Sequence, residues 1–301
     1  MSDLNKAIWG IRLAISRIVL YGFNILWLTF FLAPYIWIFL TSVLPNKELT
    51  SRPPIVDLRH VNFGEYHSTV KYSTLGQVVK EDQPALLRDP KYQLAARNSI
   101  ICAVGTTILT LAISGPAAYA LARLNFKGKD IYAVLLMGTL MVPAVVLLLP
   151  LFMLLRALRL LDTQLALILT YSAFLSPLAV WILRAFFQDI PMSLEKAARI
   201  DGCSRLGALA RIILPLSTNG LVAAGMLCFI AAWSDFAFAL YLTSQKAKTL
   251  PVKVAEFQGV YEINYAQGAA SAILLSLPVV LLAVAMQRLI VRGLTEGAAK
   301  G

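Results

Sequence analysis

Charged residues are absent from six long stretches of the chain: Ile18–Leu40, Asn98–Ala122, Ile131–Leu155, Thr163–Leu183, Ile212–Ser234 and Ile263–Gln287. Each holds at least 21 residues, and about 20 suffice for a helix to cross ~30 Å of hydrocarbon. Backbone in lipid must satisfy its own hydrogen bonds, so such stretches are helices. None alternates polar and apolar residues as a barrel strand does. The pattern predicts an all-α integral membrane protein with six transmembrane helices. Lys6, Arg12 and Arg17 precede the first stretch as they would in a secretory signal. Its 23 residues exceed a signal's apolar core and no A-x-A-like site follows, so it reads as an uncleaved helix. Leu4, Ile8, Ile11 and Ile15 before it fit either a short interfacial helix or a plain basic flank. Pro143, Pro150, Pro177 and Pro278 are expected to bend helices 3, 4 and 6.

Composition sharpens this picture. The 301 residues are 58% hydrophobic and only 14% charged, with a mean hydropathy of +0.71. A water-soluble enzyme is excluded, since the surplus apolar surface would face water. The net charge of +11 raises the question of nucleic acid. The cations fall between apolar runs and form no single patch, so anionic lipid headgroups explain them and no nucleic-acid partner is expected. An even number of spans puts both termini on one side. With the termini cytoplasmic, the inner segments hold 14 Lys/Arg against 6 Asp/Glu and the outer ones 13 against 9. That is a thin positive-inside excess, weakened by Arg156 and Arg159.

The loops carry little chemistry. Residues 41–96 form the longest hydrophilic stretch, with room for one or two short helices but not for an independent domain. His60 and His67 lie there without acidic or cysteine partners at a ligand spacing, so no metal site is assigned. Cys102, Cys203 and Cys228 suggest no disulfide framework. No G-x-x-x-x-G-K-[ST] phosphate cradle occurs, and no Ser/His/Asp or Cys/His arrangement, so no catalytic residue is assigned. One loop differs in kind: Arg184–Leu216, RAFFQDIPMSLEKAARIDGCSRLGALARIILPL. Pro191 can open a helix, Ser193 can cap one, and Gly202 is a natural helix stop. A second helical stretch, Ser204–Leu214, then runs into Pro215. The pattern alone fits either a protein-docking helix–Gly–helix hairpin or a solvated linker.

Ala197-Ala198-x-x-x-Gly202-x9-Ile212-x-Leu214-Pro215 resembles the EAA motif of ABC-importer permeases. The wording SLEKAARIDGCSR resembles the carbohydrate-uptake branch, in particular the second permease of maltose-type systems. Asn98-Ser99, the block from Ala118 to Arg123, Phe126-Lys127-Gly128 and the tail from Arg288 extend the resemblance over most of the chain beyond residue 97. It implies a type I ABC-importer permease that carries solute without catalysing a reaction. The partners implied are a second homologous permease, two cytoplasmic ABC ATPase subunits and a periplasmic or surface-tethered solute-binding protein. No cofactor is expected in this chain; ATP and Mg would be bound by the ATPase. The site would be the bacterial inner membrane, with both termini cytoplasmic.

The resemblance assigns Glu195–Gly202 to a coupling helix that docks on the ATPase. Ala197 and Ala198 would permit close approach, Asp201 would contact or cap, and Gly202 would make the bend, with Ile212, Leu214 and Pro215 completing the motif. Lys196 stands where the family has the Glu expected to meet an ATPase arginine. Either Glu195 substitutes for it or the ATPase presents an acid. Tyr261, Glu262 and Asn264, in the loop before helix 6, correspond to the loop that reaches into the binding protein. The implied organisation is residues 1–97 as flank, first helix and long external segment, 98–291 as a five-helix core with the coupling loop at 184–217, and 292–301 as a cytoplasmic tail.

Asp235 is the one acid embedded in an apolar helix, beside Trp233 and Ser234. Three roles fit it: lining a polar solute path, sitting at a helix end against a partner subunit, or coupling protons. The rival function is an autonomous ion-coupled secondary transporter or channel, which would favour buried ionisable groups in several spans and internal repeats. A membrane-embedded enzyme lacks its nucleophile and metal constellations.

Overall fold

A computed structural model describes residues 2–44, 70–74, 77–83, 86–257 and 265–298, with scattered positions between 45 and 69. The chain divides into two compact units, residues 1–87 with 257–274 and residues 88–256 with 275–301.

The first unit opens with α1 (Ser2–Val43). Its Ser16–Val43 portion is long and apolar enough to cross a membrane, and none of its most apolar window is buried. Phe23, Trp27 and Phe31, spaced four apart, form a ladder with ring centroids 5.8 and 5.0 Å apart. Two short strands follow, β1 (Val70–Thr74) and β2 (Gln77–Gln83), paired antiparallel. Hydropathy does not predict this hairpin, because its strands are only 5 and 7 residues long within a polar stretch. His60 and His67 lie outside the described residues.

The second unit is built on α2 (Pro90–Arg123) and α5 (Gln164–Asp189). Asp89 caps α2, its carboxylate accepting from the Lys91 N–H at 2.9 Å. Thr163 caps α5 in the same way, through the Ala166 N–H at 3.2 Å. Small and hydroxyl residues let the two helices approach closely. Ser172 and Ser114 donate across the seam, to Thr106 O at 3.5 Å and Ser176 O at 3.2 Å. This is how helices associate where lipid offers no hydrophobic driving force. Asn98 meets Gln164 at one end and Arg123 meets Ile190 at the other, so α2 and α5 run parallel.

Two parallel neighbours require the intervening chain to return from one end to the other. That return is α3 (Lys129–Thr139) followed by α4 (Ala144–Ala157), bent 88° at a break containing Pro143. The bend expected of Pro143 is thus present, whereas α4, α5 and α10 (Tyr265–Ala298) continue as helix through Pro150, Pro177 and Pro278. Beyond α5 come α6 (Met192–Ile200) and α7 (Arg205–Leu216), whose Leu209–Ile213 portion is a π-turn. α8 (Thr218–Ser234) leaves α7 at 83°. The fifth apolar run therefore does not form one straight span from Ile212 to Ser234. Its first six residues belong to the bent-away α7–α8 corner, and beyond the extended Asp235 a short helix α9 (Ala237–Leu242) follows. Ser217 marks the corner, its N–H shared between Ile213 O and Leu214 O at 2.9 and 3.2 Å.

Gly220 allows that corner to pack. A Cβ there would lie 2.5 Å from the Phe186 ring of α5. The core sits at this end, where Tyr119, Leu183, Phe187, Leu209 and Ile213 bury together. Four helices are long and apolar enough to span on their own, and six spans result if each bent pair counts as one. This agrees with the predominantly helical, six-span architecture predicted from the uncharged runs, with the β1–β2 hairpin as the departure from an all-α chain.

Candidate functional site

Pro191 ends the extended residue Ile190 and opens α6, with Leu194 N–H bonded to Pro191 O at 3.2 Å. The helix starts at Met192, so Ser193 falls inside its first turn and does not cap it. Its other end is a Schellman closure: Gly202 N–H bonds Arg199 O at 3.2 Å and Cys203 N–H bonds Ala198 O at 3.0 Å. Gly202 makes it possible with φ of +90°, a conformation that favours glycine. Ser204 then starts α7 by accepting the Gly207 N–H at 3.0 Å. The helix–Gly–helix hairpin read from the sequence is present in full.

Side chains on α6 divide by face. Ala198 and Glu195 turn inward and are buried, while Lys196, Ala197, Arg199 and Ile200 face outward. Asp201 and Gly202 are exposed beside them, and Leu206 of α7 extends the apolar surface. This outer face offers two cations and two apolar residues close to a small alanine, which suits a partner's groove. Ile212 and Leu214 are half-buried and Pro215 is exposed at the start of the last turn before the corner.

Glu195 is the residue whose position sequence reasoning missed. It does not stand on the outer face in place of the missing family Glu. Tyr119 donates its hydroxyl to Glu195 Oε1 at 2.5 Å, and Arg123 Nε lies 3.6 Å from Oε2. Arg123 also donates from Nη2 to Ile190 O at 2.6 Å. One arginine at the end of α2 therefore grips both sides of the Pro191 turn. The signal was available: Tyr119 and Arg123 are four apart on one helix face, in a block already singled out, and Glu195 is three before Ala198.

Asp235 sits half-buried in the break between α8 and α9. Its Oδ2 accepts from the Tyr171 hydroxyl at 2.9 Å and from the Ala239 N–H at 3.2 Å. It thus ties α5 to the first turn of α9. Trp233 is buried, with its indole N–H donated to Leu275 O at 2.9 Å and its ring stacked on Phe229. Ser234 is exposed. The structure does not gather the three as one polar lining. Tyr261, Glu262 and Asn264 lie outside the described residues.

The opposite end of the bundle is closed by Asp162, which the sequence reading passed over. It has φ of 57°, and its carboxylate accepts from the backbone N–H groups of Ser244, Gln245, Lys246 and Ala247 at 2.9–3.2 Å. Its own N–H bonds Leu242 O at 2.9 Å. Partial burial pushes the carboxyl up, but the four N–H groups outweigh it and hold the group well below the usual carboxylate range. The same turn is fixed from α2, where Asn98 Nδ2 donates to Lys246 O and Lys248 O at 2.9 and 3.0 Å. Ser99 Oγ accepts the Leu250 N–H at 2.7 Å. Glu256 nearby is paired with Lys248 and Lys253. Among the described residues no group of three His, Cys, Asp or Glu could hold a metal ion.

Apolar helices that amount to six spans when each bent pair counts as one, with a charged helix–Gly–helix hairpin between the fourth and fifth, suit a transport permease. Residues 92–296 match the family described as binding-protein-dependent transport system inner membrane component, and the chain belongs to it. It is 37% identical over 291 residues to the trehalose/maltose transport system permease protein MalG of Thermococcus litoralis, covering 95% of this chain and 98% of that protein. It is 39% identical over 273 residues to the sulfoquinovosyl glycerol transport system permease protein SmoH of Agrobacterium fabrum, covering 90% and 89%. A chain of a bacterial ABC transporter involved in the import of the acidic polysaccharide alginate has the same fold, with a TM-score of 0.73 at 22% identity over 92% of this chain and 95% of that one.

Proposed function

We propose that this permease moves a carbohydrate, or a carbohydrate-bearing solute such as a glycoside, into the cell. An external binding protein delivers the solute and separate ATPase subunits drive its passage. The observation that carries the reading is the α6–Gly202–α7 hairpin, an element with one solvent-exposed face, in a chain whose sequence contains no G-x-x-x-x-G-K-[ST] phosphate cradle. The carbohydrate class rests on the relatives, whose names specify trehalose, maltose and a sulfoquinovosyl glycerol.

In this reading two ATPase subunits hold ATP and Mg, and one of them receives the outer face of α6. The hairpin is then cytoplasmic, which places both termini there across six spans. A second, homologous permease covers the apolar helices left open, α1 among them. Closure of the ATPases displaces α6 and opens the cavity outward, and hydrolysis resets it, so access alternates. Lys196 meets an acidic group on the ATPase, since Glu195 is committed inward.

The test is uptake by proteoliposomes containing this chain, its partner permease and the ATPase, with the binding protein and labelled trehalose, maltose or a glycosyl glycerol outside and ATP inside. ATP-dependent accumulation of at least one is expected. Uptake that ignores ATP and follows an ion gradient would overturn the reading.

A further inference from the structure

We infer that Tyr119, Glu195 and Arg123 form the joint through which a displacement of α6 is passed to the membrane helix α2. The inference rests on the coupling role given to α6 above, and it assigns the transmitting contact to named atoms.

Four observations carry it. Glu195 is 7% exposed and Arg123 8% exposed, so their attraction is little screened by water. The contact joins different helices, since Tyr119 and Arg123 lie on the last two turns of α2 and Glu195 lies on α6. Arg123 adds a second attachment, its 2.6 Å hydrogen bond to Ile190 O, the residue that leads from α5 into α6. Finally, Arg123 Nε and Glu195 Oε2 face each other at 3.6 Å, and neither makes a hydrogen bond. These two atoms therefore hold each other by charge attraction alone.

A buried carboxylate stripped of its partners is costly, so α6 cannot slide off α2 without a large penalty. Moving the two together breaks no bond. The faces of α6 thereby separate two tasks: Lys196, Ala197, Arg199 and Ile200 meet the partner, and Glu195 reports to the membrane helix. Tyr119, Glu195 and Arg123 are positioning residues in this scheme; none touches solute or nucleotide.

The experiment uses the assembled transporter in proteoliposomes, with Tyr119→Phe, Glu195→Gln and the double variant. Three quantities are read: the ATPase retained on purification, the basal hydrolysis rate, and the stimulation of hydrolysis by solute-loaded binding protein. Expected for each single variant are full ATPase retention, basal hydrolysis within twofold of wild type, and stimulation reduced by roughly tenfold, in the usual range of coupling between sites. Tyr119→Phe removes the hydroxyl contact and Glu195→Gln removes the charge facing Arg123, so both weaken the same joint and the double variant should lose less than the sum of the two. Unchanged stimulation in Tyr119→Phe, which deletes a single hydroxyl, would overturn the proposal. So would loss of the ATPase, which would make the cluster part of the dock, or fully additive losses. Failure of the transport reading itself is distinct, since wild type would then show no stimulated hydrolysis at all.

Discussion

The two ends of the helix bundle are both closed by an acid turned inward, but by different chemistry. At the Gly202 end, Glu195 is held by side chains of another helix, Tyr119 and Arg123. At the other end, Asp162 is held by four consecutive backbone N–H groups of the turn 244–247. A side-chain pair joins two helices and lets them move as a unit. A carboxylate spread over a backbone turn fixes the shape of that turn and allows no alternative partner. Under the proposed coupling, the Gly202 end transmits a displacement and the Asp162 end holds still. The positive φ values follow the same division: Gly202 places an exposed helix end, and Asp162 accepts αL backbone to aim its own carboxylate.

The largest effect that can break this comparison is expected from Gly202→Pro. Proline cannot reach φ of +90°, and it also removes the N–H bonded to Arg199 O, so both the bend and the Schellman closure fail. The ATPase should no longer copurify, while the permease stays monodisperse in detergent. Retention of the ATPase would show that the hairpin is not its essential dock. Asp162→Ala should act in the opposite sense. It leaves four N–H groups without their acceptor, at a cost of about 2–3 kcal/mol after allowing for solvent at the rim, which is roughly 5–10 °C in melting temperature. ATPase retention should be unaffected.

Acid sharpens the contrast further. An unfolded aspartate titrates near 3.9, and Asp162 is held below that when folded. Its stabilisation is therefore complete above the unfolded pKa, and it fades as pH falls below about 4 toward the folded value. Thermal scans from pH 7 to 3 should show wild type losing stability at the acid end more steeply than Asp162→Asn. Glu256, pushed up by partial burial but held down more strongly by Lys248 and Lys253, adds to the same trend. Parallel curves for the two proteins would remove Asp162 from the account.

What could be read in advance follows the range of each interaction. The six spans were legible because exclusion of charge from lipid acts on every residue of a run. The hairpin at 184–217 was legible because helix starts and stops are local, as at Pro191 and Gly202. The corners were half legible: Pro143 marks its break, but the turn at Ser217 depends on Gly220 fitting against Phe186, 34 positions earlier. Whether Glu195 takes the outer position of the missing Glu was left open. A nine-residue helix with mixed charges does not reveal that its one acid is buried until Tyr119, 76 positions away, is brought beside it. Asp162 went unnoticed for the same reason, since its partners are more than 80 positions distant and, apart from the Ser244 hydroxyl, are backbone groups that leave no trace in side-chain chemistry.

The smallest expected effect concerns Asp235, which lies between the two ends. Its Oδ2 accepts the Tyr171 hydroxyl and the Ala239 N–H, and the Phe238 N–H also bonds the carboxylate. An asparagine with its amide oxygen in the place of Oδ2 would accept the same two hydrogen bonds there. Asp235→Asn should therefore cost only about 0.5–1 kcal/mol, the difference between a charged and a neutral acceptor. Uptake of solute should stay within twofold if the residue is a latch between Tyr171 and α9. If the carboxylate instead binds solute hydroxyls along the path, uptake should fall at least tenfold with the melting temperature unchanged. Proton coupling makes a third forecast: transport by the variant would lose its dependence on external pH. Tyr171→Phe separates latch from path, because it frees the carboxylate without removing it. A latch then loosens and stability drops by about 1 kcal/mol, whereas a solute ligand keeps its charge and uptake persists.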